Sequence, residues 1–281
     1  MMSLDVVFNF FLIFPTRPME LFGTQIMMPG MGMGVMGAAI GTVSAELVAA
    51  SITMYILCFR SKELSLRIDT GRFLPTWGVV KRALHISLPM GLQQTIMCSA
   101  YVMTTIIIAP LGTFAIAANS FGIIIESLCY MPGYGIADAA TTLVGQSMGA
   151  GRYELMKRFA WLSVGLGVTV MAVMGVVMYV GAPVAMAMMT PAEEVRRLGV
   201  EVLRIEAFAE PMFAAAIVSY GVFVGAAKTL VPSIMNLVSI WGVRISLAAM
   251  LAPSMGLRGV WIAMCIELCF RGLIFLVKLK F

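Results

Sequence analysis

The chain has 281 residues, of which 60% are apolar and only 12% charged, against about 25% charged in an ordinary soluble domain. A mean hydropathy of +0.97 excludes a water-soluble fold, so the question becomes how often the chain crosses a bilayer; each crossing helix needs about 20 apolar residues. The net charge of +5 lies in short connections rather than in a basic stripe, which points to membrane topology and not to nucleic acid.

Apolar runs and their breakers predict eight helices, near residues 3–14, 34–58, 84–109, 114–143, 159–182, 198–226, 230–252 and 259–277. Seven are full length. The first, at about 14 residues and 1.5 Å per residue, reaches only about 21 Å, so the sequence reads as starting in mid-helix. It has no basic leader and no small-residue cleavage motif, so no cleavable signal is expected.

Lys and Arg in alternate connections give the orientation. One set holds twelve: Arg60, Lys62, Arg67, Arg72, Lys81, Arg82, Arg152, Lys157, Arg158, Lys228, Lys278 and Lys280. The opposite set holds four, Arg17, Arg196, Arg197 and Arg258. The C-terminus and the loop 59–83 are therefore expected in the cytoplasm, leaving Arg204, Arg244 and Arg271 inside spans. The five cysteines lie in apolar runs without metal-ligand spacing, and the single histidine, His85, stands at a span start beside Lys81 and Arg82. No metal or cofactor is implied. No HExxH, GxSxG, P-loop or Ser/His/Asp set suggests an enzyme.

A faint repeat relates Met33-Gly-Val-Met-Gly-Ala-Ala-Ile40 to Met255-Gly-Leu-Arg-Gly-Val-Trp-Ile262, offset by 222 residues. Parallel repeats mark two-halved transporters. Placing the second half's start near Lys81 or Ala83 implies a first half longer by about 140 residues, or four helices, than the part present here.

Ionisable groups inside spans are costly, by roughly 2.5–3.5 kcal/mol on insertion scales, and need a partner, a wet cavity or a function. Asp5 and Asn9 are one turn apart on the first span, and Thr42 and Glu46 have the same spacing on the second. Asp5 and Glu46 fall about 15 Å deep, so four polar groups are expected at matching depths, with one acid able to take up a proton. A polar helix interface is the other reading. On the sixth span Glu206 and Glu210 are one turn apart, with Pro211 next to break the helix. Glu126 lies at mid-depth with Asn119 two turns outward, and the third span offers Gln93 and Gln94. These six residues either line a cavity for cationic, partly apolar molecules or have their acids neutralised by Arg204 and Arg244. Glu267 and Arg271, spaced i to i+4, read as a structural pair.

The succession Leu88-Pro-Met-Gly-Leu-Gln-Gln94, Ala109-Pro-Leu-Gly112 with Ala117-Ala-Asn119, Leu143-Val-Gly-Gln-Ser-Met-Gly-Ala150, Ser239-Ile-Trp-Gly-Val-Arg244 and Gly256-Leu-Arg-Gly-Val-Trp261 resembles the C-terminal lobe of the multidrug and toxic compound extrusion (MATE) family. Asp5-Val-Val-Phe-Asn9 and Gly37-Ala-Ala-Ile-Gly-Thr42 resemble the last two helices of that family's N-terminal lobe. The resemblance implies an all-α polytopic membrane protein of about eight transmembrane helices, a two-lobed bundle with four N-terminal helices absent. Residues 1–58 would hold the last two helices of the N-terminal lobe, 59–83 the inter-lobe loop, and 84–281 a complete six-helix lobe.

The resemblance further implies a cation-coupled antiporter in a bacterial inner membrane, exporting organic cations or drugs against protons or, second, sodium. Asp5, Asn9 and Thr42 match positions of the family's N-lobe polar network. Where the family has Arg-Gly-Ala-Gly-Asp-Thr, this chain has Val224-Gly-Ala-Ala-Lys228-Thr229, and Met97 stands where some sodium-linked members carry an acid. The alternatives are a lipid-linked oligosaccharide flippase, which tends to line its cavity with several basic residues, and a truncated membrane fragment that does not transport.

Overall fold

The computed structural model describes residues 2–21, 24–60 and 76–279. The chain divides into two compact units, Met1–Pro75 and Thr76–Phe281.

In the first unit, helix α1 (Met2–Ile13) and helix α2 (Gly34–Tyr55) flank an antiparallel hairpin, β1 (Pro15–Leu21) and β2 (Thr24–Met31). The buried face of α2 consists of Gly37, Gly41 and Ala45, one turn apart. A small-residue stripe of this kind lets two backbones approach where lipid offers no hydrophobic drive for association. A methyl group on Gly37 would overlap the Leu12 carbonyl, and one on Gly41 would overlap the Asn9 amide oxygen. The hairpin departs from the all-helical expectation. Pro15, Pro18 and Pro29 and the lack of period-two alternation hide it, because a two-stranded ribbon has no face that must be apolar. It turns into α2 through Gly32 and Gly34, both at positive φ, while the amides of Gly32 and Met33 donate to the carbonyls of Phe14 and Leu12 at 3.0 Å. After α2 the helix widens into a π turn over Ile56–Arg60.

The second unit holds α3 (Trp77–Ile108), α4 (Thr113–Gly149), α5 (Tyr153–Met189), α6 (Glu193–Glu206), α7 (Glu210–Gly225), α8 (Leu230–Leu237), α9 (Ser246–Met255) and α10 (Leu257–Lys278). Helix α3 starts at Trp77 rather than near residue 84, since hydropathy marks only the stretch inside hydrocarbon and a helix continues through the polar boundary. Among the described residues six helical stretches are long and apolar enough to cross a membrane, or seven when the bent pair α6–α7 is taken as one span; α1 is a shorter apolar helix.

Two breaks reshape the expected spans. The predicted helix 198–226 is α6 and α7, bent by 60°. Val195, Gly199, Val202 and Leu203 form the buried stripe of α6, and its other face is charged. Pro211 falls in the first turn of α7, where a missing amide hydrogen costs nothing. The joint nests on Gly175 of α5, where a methyl group would stand 2.7 Å from the Ala207 carbonyl oxygen. The predicted span 230–252 is α8 and α9 joined by a π-helical stretch, Val238–Ile245, whose wider turn re-aims the side chains it carries.

The largest core cluster gathers Trp261, Leu268, Met186, Leu203 and Ile108 between α3, α4, α5, α6 and α10. Gly221 and Gly225 bring α7 onto α4, with the Thr141 hydroxyl donating to the Gly221 carbonyl at 2.9 Å. Outside, α5 exposes Leu162, Leu166, Val173, Val176, Val180 and Val184. A surface so apolar is a lipid face, because in water it would drive aggregation. The chain is an all-α polytopic membrane protein apart from the hairpin.

Candidate functional site

Within the second unit a cavity of about 500 Å³ opens between α3, α4, α7, α8, α10 and the π-helical stretch. Two stripes of period four form one side of its wall: Gln93, Met97 and Tyr101 on α3, and Glu126, Tyr130 and Tyr134 on α4. Helix α7 adds Phe213 and Tyr220, α8 adds Asn236, the π stretch adds Arg244, and α10 adds Met264 and Arg271. The lining is aromatic and thioether-rich with a few convergent polar groups, which is the usual make-up of a small-molecule site.

Of the six residues expected at the cavity, Gln93, Gln94 and Glu126 line it. The Gln93 amide oxygen accepts a hydrogen bond from the Ser233 hydroxyl at 2.8 Å, which fixes it against α8. Glu126 is buried, and among the described residues no cation pairs with it; Arg244 and Arg271 are the guanidinium groups whose charges reach it. Asn119 lines a smaller adjoining cavity of about 140 Å³, which Tyr101 and Arg244 also line, and accepts from the Trp261 indole at 3.1 Å. Glu206 and Glu210 stand away from both cavities at the α6–α7 joint, each 1% exposed. One oxygen of Glu206 and both of Glu210 are enclosed without a hydrogen-bond partner.

Neither arginine expected to neutralise these acids forms an ion pair with one of them among the described residues. Arg204 turns outward and lies over the Tyr179 ring at 5.2 Å, and Arg244 rests on the Met264 sulfur at 2.6 Å. The Glu267–Arg271 pair does form, at 3.1 Å, with the Ser239 hydroxyl donating to Glu267 at 2.6 Å. Arg271 also stacks over Phe213 at 5.4 Å, so a structural pair and a cavity wall share one side chain. Sequence reasoning missed Arg244, Arg271, Asn236 and the four tyrosines as lining. The i, i+4, i+8 run Glu126–Tyr130–Tyr134 was the available signal.

In the first unit Asp5 and Asn9 lie on α1, and each has its Oδ1 atom enclosed without a hydrogen-bond partner. Asn9 rests on Gly41, while Thr42 and Glu46, on the flanks of the buried stripe, are exposed in this unit. Among the described residues no group of three or more His, Cys, Asp or Glu could hold a metal ion.

The sequence model of the MatE family matches residues 89–250, more than half of the chain and most of the helices that wall the cavity. The chain belongs to the MatE family. This MATE chain is 29% identical over 245 residues to a probable multidrug resistance protein NorM of Thermotoga maritima, covering 85% of this chain and 52% of that protein. It spans about half the length of the curated relatives it matches. Its fold superposes on the MATE transporter VcmN of Vibrio cholerae in the bent form with a TM-score of 0.81 at 18% identity, over 99% of this chain and 59% of that one. It superposes likewise on a MOP superfamily transporter of Pyrococcus furiosus, for which a reversed polarity of the binding pocket was taken to suggest a different function, with a TM-score of 0.79 at 20% identity, over 89% and 56% of the two chains.

Proposed function

We propose that this MATE chain forms the C-terminal bundle and part of the N-terminal bundle of a cation-coupled antiporter, which exports organic cations or other xenobiotics by alternating access. The observation that carries this reading is the cavity walled by tyrosines, methionines and Glu126. Aromatic faces and a carboxylate hold a flat cation, and thioethers repack around varied shapes. The bilayer would be a bacterial inner membrane, with the C-terminus on the cytoplasmic side. Export of drugs is what the name of the Thermotoga maritima relative states of that protein.

In this reading Gln93, Gln94, Asn119 and Glu126 contact substrate, while Glu206 and Glu210 stand behind the wall at the α6–α7 joint. Asp5, Asn9, Thr42 and Glu46 carry the coupling ion, a proton ahead of sodium. The enclosed, unpartnered oxygens of Asp5 and Asn9 support this assignment, since a bound proton or ion would satisfy them. Anionic cargo, as for a lipid-linked oligosaccharide flippase, is the second reading. It is favoured by Arg244 and Arg271, which place two cations against one carboxylate in the cavity wall.

Ethidium binding to the purified chain, compared with an anionic dye of similar size, separates the two. Ethidium should bind more tightly, and Glu126→Gln should weaken it about tenfold, the loss of one charged contact. Preference for the anion, with Arg244→Gln as the damaging variant, would replace the first reading by the second. Ethidium efflux from vesicles holding a transporter of the relatives' full length that contains this chain, driven by a pH or a sodium gradient, tests the coupling. Efflux that survives Asp5→Asn would remove Asp5 from it.

A further inference from the structure

The outward face of α6 sets Arg196, Arg197 and Arg204 against Glu193, Glu194 and Glu201, and Arg258 of α10 adds one cation in excess. Arg196 pairs with Glu193 one turn away, and Arg258 grips both oxygens of Glu201. Among the described residues Arg197 and Arg204 have no carboxylate partner. Both are exposed on the helix face opposite the buried stripe.

Two depressions meet at Arg204. The first, about 550 Å³, is walled by Pro183, Val200 and the charged residues Glu193, Arg196, Arg197 and Glu201. The second, about 350 Å³, is apolar and runs between Tyr179, Phe208, Ile262 and Ile266. From Pro183 to Tyr179 is one turn of α5, and from Ile262 to Ile266 one turn of α10, both leading from the membrane boundary towards its middle. An arginine-rich hollow at the boundary therefore continues into an apolar groove one turn deeper. Phe208, 71% exposed and edge-on to Tyr179 at 5.7 Å, forms the side of that groove.

We propose that this face binds one anionic phospholipid, its phosphate between Arg197 and Arg204 and an acyl chain in the groove beside Phe208. Guanidinium groups without carboxylates match a phosphodiester in charge and geometry. A free phosphate would use the arginines and leave the groove empty, whereas a zwitterionic lipid would fill the groove and bring no net charge to the arginines. The occupant touches α5, α6 and α10 together, so it braces the outer half of the bent span and stabilises the fold by mass action.

The test uses the purified full chain in an uncharged detergent, with phosphatidylglycerol, phosphatidylcholine of the same acyl chains, or inorganic phosphate added. Phosphatidylglycerol should raise the unfolding temperature and be retained at one per chain in native mass spectrometry, with the other two doing neither. Arg197→Gln with Arg204→Gln should lower the apparent affinity about tenfold or more. Arg152→Gln, at the far end of α5, should leave it unchanged. Should the double variant fail to fold, Ile266→Trp fills the groove from a position exposed to lipid and should also release the lipid. Equal stabilisation by phosphatidylcholine or by phosphate, or unchanged retention in both the arginine and the groove variants, overturns the proposal.

Discussion

Two sets of acids lie inside the same helical bundle and are treated in opposite ways. On α10, Glu267 is fully buried, and one of its oxygens, Oε1, has Arg271 Nε at 3.1 Å and accepts from the Ser239 hydroxyl at 2.6 Å, while its Oε2 is enclosed without a donor. At the α6–α7 joint, Glu206 and Glu210 are as deeply buried, and three of their four oxygens meet no donor. Burial alone therefore does not say what an intramembrane acid is for. The paired acid ties α10 to the π-helical stretch through Ser239; the unpaired ones impose a cost that packing does not return.

The largest effect is expected where the pair is broken. Arg271→Leu leaves Glu267 with one neutral donor and no cation, and removal of one partner from a buried ion pair costs about 3–5 kcal/mol. Unfolding of the purified variant should show a loss of that order, and Glu267→Leu added to it should recover most of the loss. If the single variant unfolds like the parent, the pair contributes nothing and the contrast with the α6–α7 joint disappears.

The first unit gives a second way to break the contrast, because it keeps Asp5 and Asn9 without partners by close backbone contact rather than by a bend. Gly41→Leu puts a side chain into the Asn9 amide, and overpacking of that kind costs about 3 kcal/mol. Cysteine pairs placed across α1 and α2 should cross-link less efficiently in this variant. Unchanged cross-linking would mean that the glycine stripe does not set the helix separation.

At the joint itself the sign reverses. Glu210→Met removes two enclosed oxygens without partners while keeping much of the volume, so it should stabilise the chain by about 2 kcal/mol. In the same variant, efflux by the assembled transporter should fall. A destabilised variant would show that Glu210 has a partner in the folded state and belongs with Glu267.

The helices and their order were legible because a bilayer enforces long apolar runs, and the Glu267–Arg271 pair was legible from its i, i+4 spacing. Of the interruptions, the bend beside Pro211 was legible from its proline and the other two were not. The π-helical stretch at Val238–Ile245 contains no proline to announce it, and the hairpin at Pro15–Met31 carries no alternation. Both depend on tertiary packing. The destinations of Arg204 and Arg244 were hidden for the same reason: hydropathy gives the depth of a side chain, whereas the direction it faces depends on the turn it stands on, and each of these arginines sits at or beside an irregular turn.

The smallest effect is expected at the opposite end of α7, where strain is present without any sign of use. Ala227 holds φ at 54°, and its amide donates to the Val224 carbonyl at 2.9 Å, closing the turn after Gly225. An alanine in the left-handed region costs about 1–2 kcal/mol that a glycine largely avoids, although glycine gives back part of the gain as unfolded-state entropy. The family pattern has glycine at this position. Ala227→Gly should therefore stabilise the chain by about 1 kcal/mol, and efflux by the assembled transporter should not change, in contrast to Glu210→Met at the other end of the same helix. If Ala227→Gly gains stability and loses efflux, the strained turn belongs with the unpaired acids as part of the moving machinery, and α7 is poised at both ends.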